Sequence, residues 1–205
     1  MAVLVVDTPH GPANAHLHPA GGARAALVLG HGAAGGVTAR DLVAVTDVAL
    51  STGFSVVLVE QPYRVAGRRS PAPANQLDAA WTAVVEHLRA GELRGLPLVA
   101  GGRSSGARVA CRTAEATGAV GVLCLAFPLQ PPRRAKPAPS RLPELDAVTV
   151  PTLIVQGVRD AFGMPPAGSR RTVVQVQADH GLKTDLQAVA AAVEVWLPTV
   201  LPPLG

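Results

Sequence analysis

A serine stands at the centre of the glycine-rich segment Gly102-Arg103-Ser104-Ser105-Gly106 and offers a nucleophile. The segment follows the apolar run Leu96–Ala100 and precedes a helical stretch, which gives a strand, a turn and a helix in succession. A serine on such a tight turn needs neighbours two residues away that carry no bulky side chain, and Gly102 and Gly106 meet this need around Ser104. The pattern does not fit the next serine, so Ser104 is the predicted nucleophile.

A nucleophilic serine needs a base, and the base needs an acid that orients it. Where the serine lies on a turn of this kind, the acid and then a histidine follow later in the chain, each just beyond a strand. Asp160 follows the apolar run Thr152–Gln156, and His180 follows the run Thr172–Val176. The sequence therefore predicts Ser104, Asp160 and His180 as a catalytic triad.

The other acids and histidines have simpler explanations. Glu144 and Asp146 precede their strand, so they would lie at the wrong edge of the sheet to serve as the acid. His16 and His18 are expected to be solvated on an edge strand. His16-x-His18 could bind a metal ion, but no cysteine or carboxylate cluster accompanies it. We therefore expect neither a metal nor an organic cofactor.

A second glycine-rich turn, Gly30-His31-Gly32-Ala33-Ala34-Gly35-Gly36, follows the predicted strand Ala25–Leu29. Its glycines let the backbone approach a substrate closely. Backbone N–H groups at such a turn can hold the negative charge that develops on a carbonyl oxygen under attack. The N–H groups of Ala33 and Ser105 are the expected pair of donors, which would form an oxyanion hole.

The same turn supports an alternative reading. Gly30-x-Gly32-x-x-Gly35 follows a strand, and Glu60 ends the next strand, which together give the fingerprint of a dinucleotide-binding site. Three observations argue against it. A hairpin precedes the strand, a second glycine-rich turn holds Ser104, and a nicotinamide enzyme would not need an acid and a histidine at two further strand ends.

The elements that must position these residues alternate along almost the whole chain. The opening segments, around Val3–Thr8 and Ala13–His18, predict an antiparallel hairpin. Continuous apolar runs then predict buried parallel strands, with helices between them. The expected fold class is α/β, with a mostly parallel sheet of about eight strands covered by helices on both faces. The predicted parallel strands are Ala25–Leu29, Ser55–Val59, Leu96–Ala100, Val120–Ala126, Thr152–Gln156 and Thr172–Val176.

Four helices are expected between and after these strands. A Thr38–Asp41 capping pair should open the first, and Asn75 should cap the second. The third follows Ser104 and runs to about Ala116. The last carries an apolar stripe and stops before Pro198.

Composition excludes several classes of protein. The 205 residues are 48% hydrophobic and 16% charged, which indicates a single globular domain over residues 1–205. The net charge of +4 could favour nucleic acid, but the basic residues are scattered and aromatic residues total 3%. No stretch approaches the roughly 18–20 apolar residues of a membrane span, and the first residues lack the features of a signal peptide. We expect no nucleic-acid or membrane partner, a cytoplasmic location, and buried thiols at Cys111 and Cys124.

Two long connections, Gln61–Ala74 and Pro128–Leu142, are rich in proline and arginine. Neither leaves room for a folded cap domain, so the site should be open. Their arginines could bind a carboxylate- or phosphate-bearing substrate, or they could form a solvated basic rim. These arginines are Arg64, Arg68 and Arg69 on the first connection and Arg133, Arg134 and Arg141 on the second.

With these residues placed, the chain resembles a branch of the α/β-hydrolases. The branch contains the testis-expressed hydrolase-like proteins and the hydrolase-like subunit of the NSL acetyltransferase complex, and it is similar to dienelactone hydrolases. The matching segments run through nearly the whole chain. They are Gly30-His31-Gly32-Ala33, Pro62-Tyr63 with Gly67-Arg68-Arg69, Gly102-Arg103-Ser104, Phe127-Pro128-Leu129 with Pro131-Pro132, Gly157-Val158-Arg159-Asp160 with Phe162-Gly163, and Asp179-His180.

The resemblance implies an α/β-hydrolase fold and the triad of Ser104, Asp160 and His180. The order of these residues and their placement at strand ends predict a serine hydrolase acting on a small ester-like substrate. The candidate substrate contacts are His31, Tyr63, Arg68, Arg69 and Gln130. The chain departs from the branch at three positions, since Ser105, Ala107 and Gln130 stand where members often have Met, Gly and His. A non-catalytic scaffold that keeps the fold is the main alternative, because some members of the branch look like scaffolds.

Overall fold

The apolar runs of the sequence form the strands of one sheet. The computed structural model describes residues 2–130 and 139–201. The strands are β1 (Ala2–Val6), β2 (Ala13–His18), β3 (Ala25–Gly30), β4 (Phe54–Glu60), β5 (Leu98–Arg103), β6 (Gly121–Leu125), β7 (Thr152–Gly157) and β8 (Arg171–Val176). They are ordered β1-β2-β4-β3-β5-β6-β7-β8. The strands from β3 to β8 are parallel to one another, and β2 is antiparallel to both β1 and β4.

Helices cover both faces of this sheet, as predicted. They are α1 (Arg40–Ser51), α2 (Pro62–Val65), α3 (Ala74–Ala90), α4 (Ser105–Thr113), α5 (Leu142–Asp146), α6 (Leu186–Trp196) and a final 3₁₀ turn (Leu197–Val200). Helices α1 and α6 pack against each other on one face, and α3 and α4 pack against each other on the other face. The central strands, from β3 to β7, are therefore buried between two apolar layers.

Periodic apolar residues explain why these helices lie on the sheet. On α3 they form one buried stripe at helical spacing, and Trp81 within it is fully buried. On α6, Val189, Val193 and Trp196 are buried in the layer on the opposite face. Both tryptophans are therefore core residues.

The opening hairpin differs from expectation in one respect. Strand β2 pairs with β1 on one side and with β4 on the other, so it is an internal strand and not an edge. His16 and His18 are consequently half-buried, and the prediction that they are solvated is wrong. The Nε2 atom of His16 lies 3.9 Å from the Glu60 carboxylate.

The predicted helix caps are also wrong. Helix α1 begins after Ala39, and α3 begins after Pro73, and neither start has a side-chain capping bond. Asp41 is buried, and its carboxylate forms an ion pair with Arg103, which is distant in the sequence. Asn75 lies inside the first turn of α3 and not at its cap.

The two long connections contain short helices. The first holds α2, and α5 begins at the end of the second. Arg133 and Arg134 lie outside the described residues. Among the helices of the described residues, none has the length and apolar character to cross a membrane.

The two cysteines are buried free thiols, as predicted. Cys111 lies on α4 and Cys124 on β6, and their Sγ atoms are 3.5 Å apart.

Candidate active site

Ser104 lies at the sharp turn between β5 and α4. Its backbone, with a φ of 52° and a ψ of −107°, has a conformation that residues other than glycine rarely adopt. Such strain costs of order 1–3 kcal/mol and persists only where the surroundings impose it. The surroundings here are crowded, because a Cβ at Gly102 would lie 2.5 Å from the Gly30 carbonyl oxygen and one at Gly106 would lie 2.3 Å from it. The tight turn therefore needs glycine at both positions.

Three side chains from different strand ends form one hydrogen-bonded chain at this turn. The Ser104 Oγ lies 2.9 Å from His180 Nε2, and His180 Nδ1 lies 2.8 Å from Asp160 Oδ2. A carboxylate only accepts, so Nδ1 carries the ring proton and Nε2 accepts from the serine hydroxyl. Asp160 follows β7 and His180 follows β8, as Ser104 follows β5, because parallel strands bring their carboxyl ends to one edge of the sheet.

The acid is fixed by two further groups. Gln156 Nε2 donates to Asp160 Oδ2 at 2.8 Å, and the Phe162 N–H donates to Oδ1 at 2.8 Å. The Phe162 ring also lies against the His180 imidazole, with ring centroids 4.3 Å apart. The Asp160 side chain is fully buried, whereas that of His180 is 22% exposed. The histidine is therefore open to a substrate, and the acid is shielded from water.

The turn after β3 is held in place by two side chains that the sequence placed among the substrate contacts. His31 is buried, with Nδ1 2.8 Å from the Gly32 carbonyl oxygen and Nε2 accepting from the Gln61 N–H at 3.1 Å. The hydroxyl of Tyr63 donates to the Ala33 carbonyl oxygen at 3.0 Å. Burial lowers the pKa of His31 and raises that of Tyr63 to about 12, so both groups are neutral near pH 7. Both side chains thus act as supports of the turn.

The orientation of the Ala33 N–H follows from these bonds. The Gly32 carbonyl, which belongs to the same peptide plane, also accepts from the Gly35 N–H at 3.1 Å. In a trans peptide the N–H points opposite to the carbonyl, so the Ala33 N–H points away from both partners. Within the described part of the chain, no acceptor takes the N–H of Ala33 or of Ser105. Neither N–H is therefore committed to another bond among the described residues.

The other predicted substrate contacts lie at the surface. Arg68 and Arg69 are exposed, and Arg68 lines a cavity of about 90 Å³ that is bordered by His10 and Gln76. Neither Ser104 nor His180 lines that cavity. Gln130 is exposed, and its N–H donates to the Phe162 carbonyl at 2.8 Å, which places it next to the residue that contacts His180.

The glycine fingerprint of the dinucleotide reading has a structural explanation. A Cβ at Gly30 would lie 3.2 Å from the Cα of Gly106, so this glycine permits close contact between the end of β3 and the start of α4. Glu60, the acid that would bind a ribose, accepts from Asn14 Nδ2 at 3.0 Å across the β2–β4 pair. The Glu60 carboxylate is therefore already bonded to a side chain of the opening hairpin.

The sequence analysis did not predict a role at the site for three side chains that support it. Gln156 ends β7 and looks like an ordinary strand residue, and Arg103 and Asp41 form an ion pair over a long chain separation. One feature of the sequence could have pointed to Gln156: it is a polar residue in an otherwise apolar buried run, where a polar side chain needs a hydrogen-bond partner.

Comparison with known proteins identifies the fold. The sequence matches a family described as alpha/beta hydrolase domain over residues 23–189, and no curated protein matches it. A serine hydrolase without lid from Xanthomonas campestris is 19% identical with a TM-score of 0.80, covering 100% of this chain and 96% of that one. Dienelactone hydrolase from Anabaena variabilis is 16% identical with a TM-score of 0.78, covering 98% of each chain. Est1E from Butyrivibrio proteoclasticus, also solved with ferulic acid bound, is 16% identical with a TM-score of 0.77, covering 98% and 99%. The predicted α/β-hydrolase fold is confirmed.

Proposed function

The chain belongs to the alpha/beta hydrolase domain family, and from this premise we propose that it is a serine hydrolase of carboxylic esters or related acyl compounds. The observation that carries the proposal is the hydrogen-bonded chain from Ser104 through His180 to Asp160. The imidazole nitrogen of His180 that faces Ser104 is a hydrogen-bond acceptor, so it can take the serine proton as the reaction requires.

The first half of the reaction transfers the acyl group to the enzyme. His180 Nε2 takes the proton of Ser104 as Oγ forms a bond to the carbonyl carbon of the substrate. The N–H groups of Ala33 and Ser105 stabilise the resulting oxyanion, and Asp160 stabilises the imidazolium. The bond to the leaving oxygen then breaks, and His180 protonates the departing alcohol.

The second half returns the enzyme to its starting state. A water molecule gives a proton to His180 and attacks the acyl carbon. The bond between that carbon and Ser104 Oγ breaks, the carboxylic acid leaves, and His180 returns the proton to Oγ. No redox partner enters this scheme, because every proton and electron pair is balanced by the ester and water.

Several observations support an enzyme over a scaffold that keeps the fold. The strained backbone of Ser104, the buried acid and two N–H groups that have no acceptor among the described residues follow the carboxyl ends of parallel strands. A scaffold has no use for this combination, since strain at a residue is retained where function requires it.

The narrower statements are proposals as well. The branch with the testis-expressed and NSL-complex relatives is supported by the segments quoted from the sequence. A small acyl substrate, rather than a nucleic acid or a membrane surface, is supported by the scattered cations and few aromatics. A cytoplasmic location and a single domain over residues 1–205 stay predictions of the sequence.

Labelling with a fluorophosphonate, read by intact mass, tests the proposal. We expect the wild-type protein to gain one probe adduct and Ser104→Ala to gain none. Turnover of p-nitrophenyl acetate should fall at least about a thousandfold in that variant, because the nucleophile is lost. Esters of ferulic acid belong in the first substrate screen, since one structural neighbour binds that acid.

Ser51→Ala is the control, because Ser51 is an exposed serine on α1. It should label and turn over substrate like the wild-type protein. Labelling of Ser104→Ala, or a folded wild-type protein that does not label, would contradict the proposed function.

A further inference from the structure

Arg103, the residue before Ser104, is the point at which three parts of the candidate active site meet. Its Nη2 donates to the carbonyl oxygen of His180 at 3.0 Å, and its Nε lies 2.9 Å from Asp41 Oδ2. Its guanidinium also covers Gly32, because a Cβ at that glycine would lie 2.8 Å from Nη1. One side chain therefore contacts the histidine loop, helix α1 and the glycine-rich turn.

Asp41 is the group that holds this guanidinium. The Asp41 side chain is 1% exposed and that of Arg103 is 15% exposed. Burial raises the pKa of Asp41, and the neighbouring Arg103 cation opposes that rise. A buried carboxylate is tolerated where a cation pairs with it, so each partner fixes the position of the other. No step of the proposed reaction uses either group.

The bond from Arg103 acts on the main chain of His180. The imidazole is held by contacts with Ser104, Asp160 and Phe162, whereas the backbone carbonyl is held by Arg103. Because Arg103 and Ser104 are consecutive, this bond ties the backbone of the base to the backbone of the nucleophile. A loop residue without such a tie could move its ring relative to the serine.

We propose that Arg103, oriented by Asp41, is a positioning residue that sets the distance between the His180 imidazole and the Ser104 hydroxyl. The inference rests on the proposed function, since it concerns the proton transfer of that reaction. A misplacement of about 1 Å at reacting groups can lower a rate by about a hundredfold. Loss of Arg103 therefore lowers kcat and leaves the KM of a small ester nearly unchanged, because no step of the proposed reaction places the guanidinium on the substrate.

The test uses the full chain with Arg103→Met, Arg103→Lys and Asp41→Asn. The readouts are the rate constant of fluorophosphonate inactivation, and kcat and KM for p-nitrophenyl acetate. We expect Arg103→Met to lower the inactivation rate and kcat about 10–100-fold without a comparable change in KM. Arg103→Lys should recover part of the loss, because an ammonium keeps the charge but not the fork that reaches two partners. Adding Asp41→Asn to Arg103→Met should lower the rate little further, since Asp41 acts through Arg103.

Arg112→Met is the matched control. Arg112 is another half-buried arginine, and it makes two bonds to Asp78, with Nε 2.8 Å from Oδ2 and Nη2 2.6 Å from Oδ1. This ion pair joins α4 to α3 and includes none of the candidate active-site residues. Its loss should lower Tm and leave the inactivation rate at the wild-type value.

The outcomes separate the two proposals. A wild-type protein that labels, together with Arg103→Met that labels at the same rate, would overturn the positioning role alone. Equal rate losses in Arg103→Met and Arg112→Met would also overturn it, because the effect would then be general destabilisation. A folded wild-type protein that does not label would overturn the proposed function, and the positioning role with it. If Arg103→Met does not fold by its melting curve, Arg103→Lys and Asp41→Asn decide by the same readouts.

Discussion

Hydrogen-bond polarity fixes the proton positions from Gln156 to Ser104. The amide nitrogen of Gln156 only donates, so Asp160 Oδ2 accepts from it and from His180 Nδ1. The remaining ring nitrogen must then accept from the serine hydroxyl. The tautomer of the base is thus set by a chain of groups behind it, before any substrate arrives.

The close contact between Gly106 and Gly30 predicts that one added methyl group at Gly106 destabilises the protein. A Cβ at Gly106 would lie 2.3 Å from the Gly30 carbonyl oxygen and 2.5 Å from its carbonyl carbon. Both are backbone atoms, so a turn must move to accommodate Gly106→Ala. We expect a loss of about 1–3 kcal/mol or more in the free energy of unfolding, measured by urea denaturation, and slower fluorophosphonate labelling.

Gly35→Ala serves as the comparison for that prediction. The nearest atom to a Cβ at Gly35 is 3.8 Å away, which is ordinary contact. Its free energy of unfolding should change by less than about 0.5 kcal/mol. If Gly106→Ala and Gly35→Ala lowered the free energy of unfolding equally, close packing would not be the reason for glycine at position 106.

The sequence predicts some of these side chains better than others. Ser104, Asp160 and His180 could be selected because each follows an apolar run, and parallel strands align their ends. Arg103 and Asp41 could not be paired in this way, because their contact depends on how α1 packs beside the end of β5. His31 and Tyr63 could be placed near the site, but their bonds to the backbone depend on the conformation of the turn.

At the scale of elements, apolar runs are stronger signals than caps. All eight strands and the four main helices were predicted, since burial of both sheet faces requires continuous apolar segments. The predicted caps at Thr38 and Asn75 are wrong, because a capping bond is worth only about 1 kcal/mol and tertiary contacts outweigh it. Helix α2 was not predicted, since its four residues are too few to show a period.

Helix α3 provides a test of this burial. Leu88 is fully buried on its apolar stripe. Leu88→Ala should lower the free energy of unfolding by about 2–5 kcal/mol, because the cavity is only partly refilled. Urea denaturation measures the loss. Val195→Ala, at a position that is 75% exposed on α6, should change the free energy by less than about 0.5 kcal/mol. Similar losses at the two sites would contradict the assigned packing.

At the scale of the whole molecule, buried histidines make stability depend on pH. Burial lowers the pKa of His31 and of His18 from the ordinary value of 6.5. Below about pH 6.5 these two histidines therefore bind more protons in the unfolded chain than in the folded one. The free energy of unfolding should fall as the pH drops from 6.5 toward the lowered pKa values.

Replacing His31 isolates its part of this dependence. We expect His31→Gln to be less stable than the wild-type protein at pH 7.5, but to lose less stability between pH 7.5 and 5.5, because glutamine takes up no proton. Urea denaturation at several pH values measures both slopes. The raised pKa of Asp41 changes stability with pH in the opposite direction to the histidines. Its contribution is the same in the wild-type protein and in His31→Gln, so it cancels when the two are compared. Parallel curves for the two proteins would contradict the role of His31.

The order of the site residues along the chain has a consequence for synthesis. Ser104 leaves the ribosome 76 residues before His180, the residue that accepts its hydrogen bond. At 5–20 residues per second, this delay is roughly 4–15 s. During that interval the nascent serine has no base, and both β7 and β8 are still to be made when the interval begins. The chain therefore cannot form the complete hydrogen-bonded triad until residue 180 has been translated.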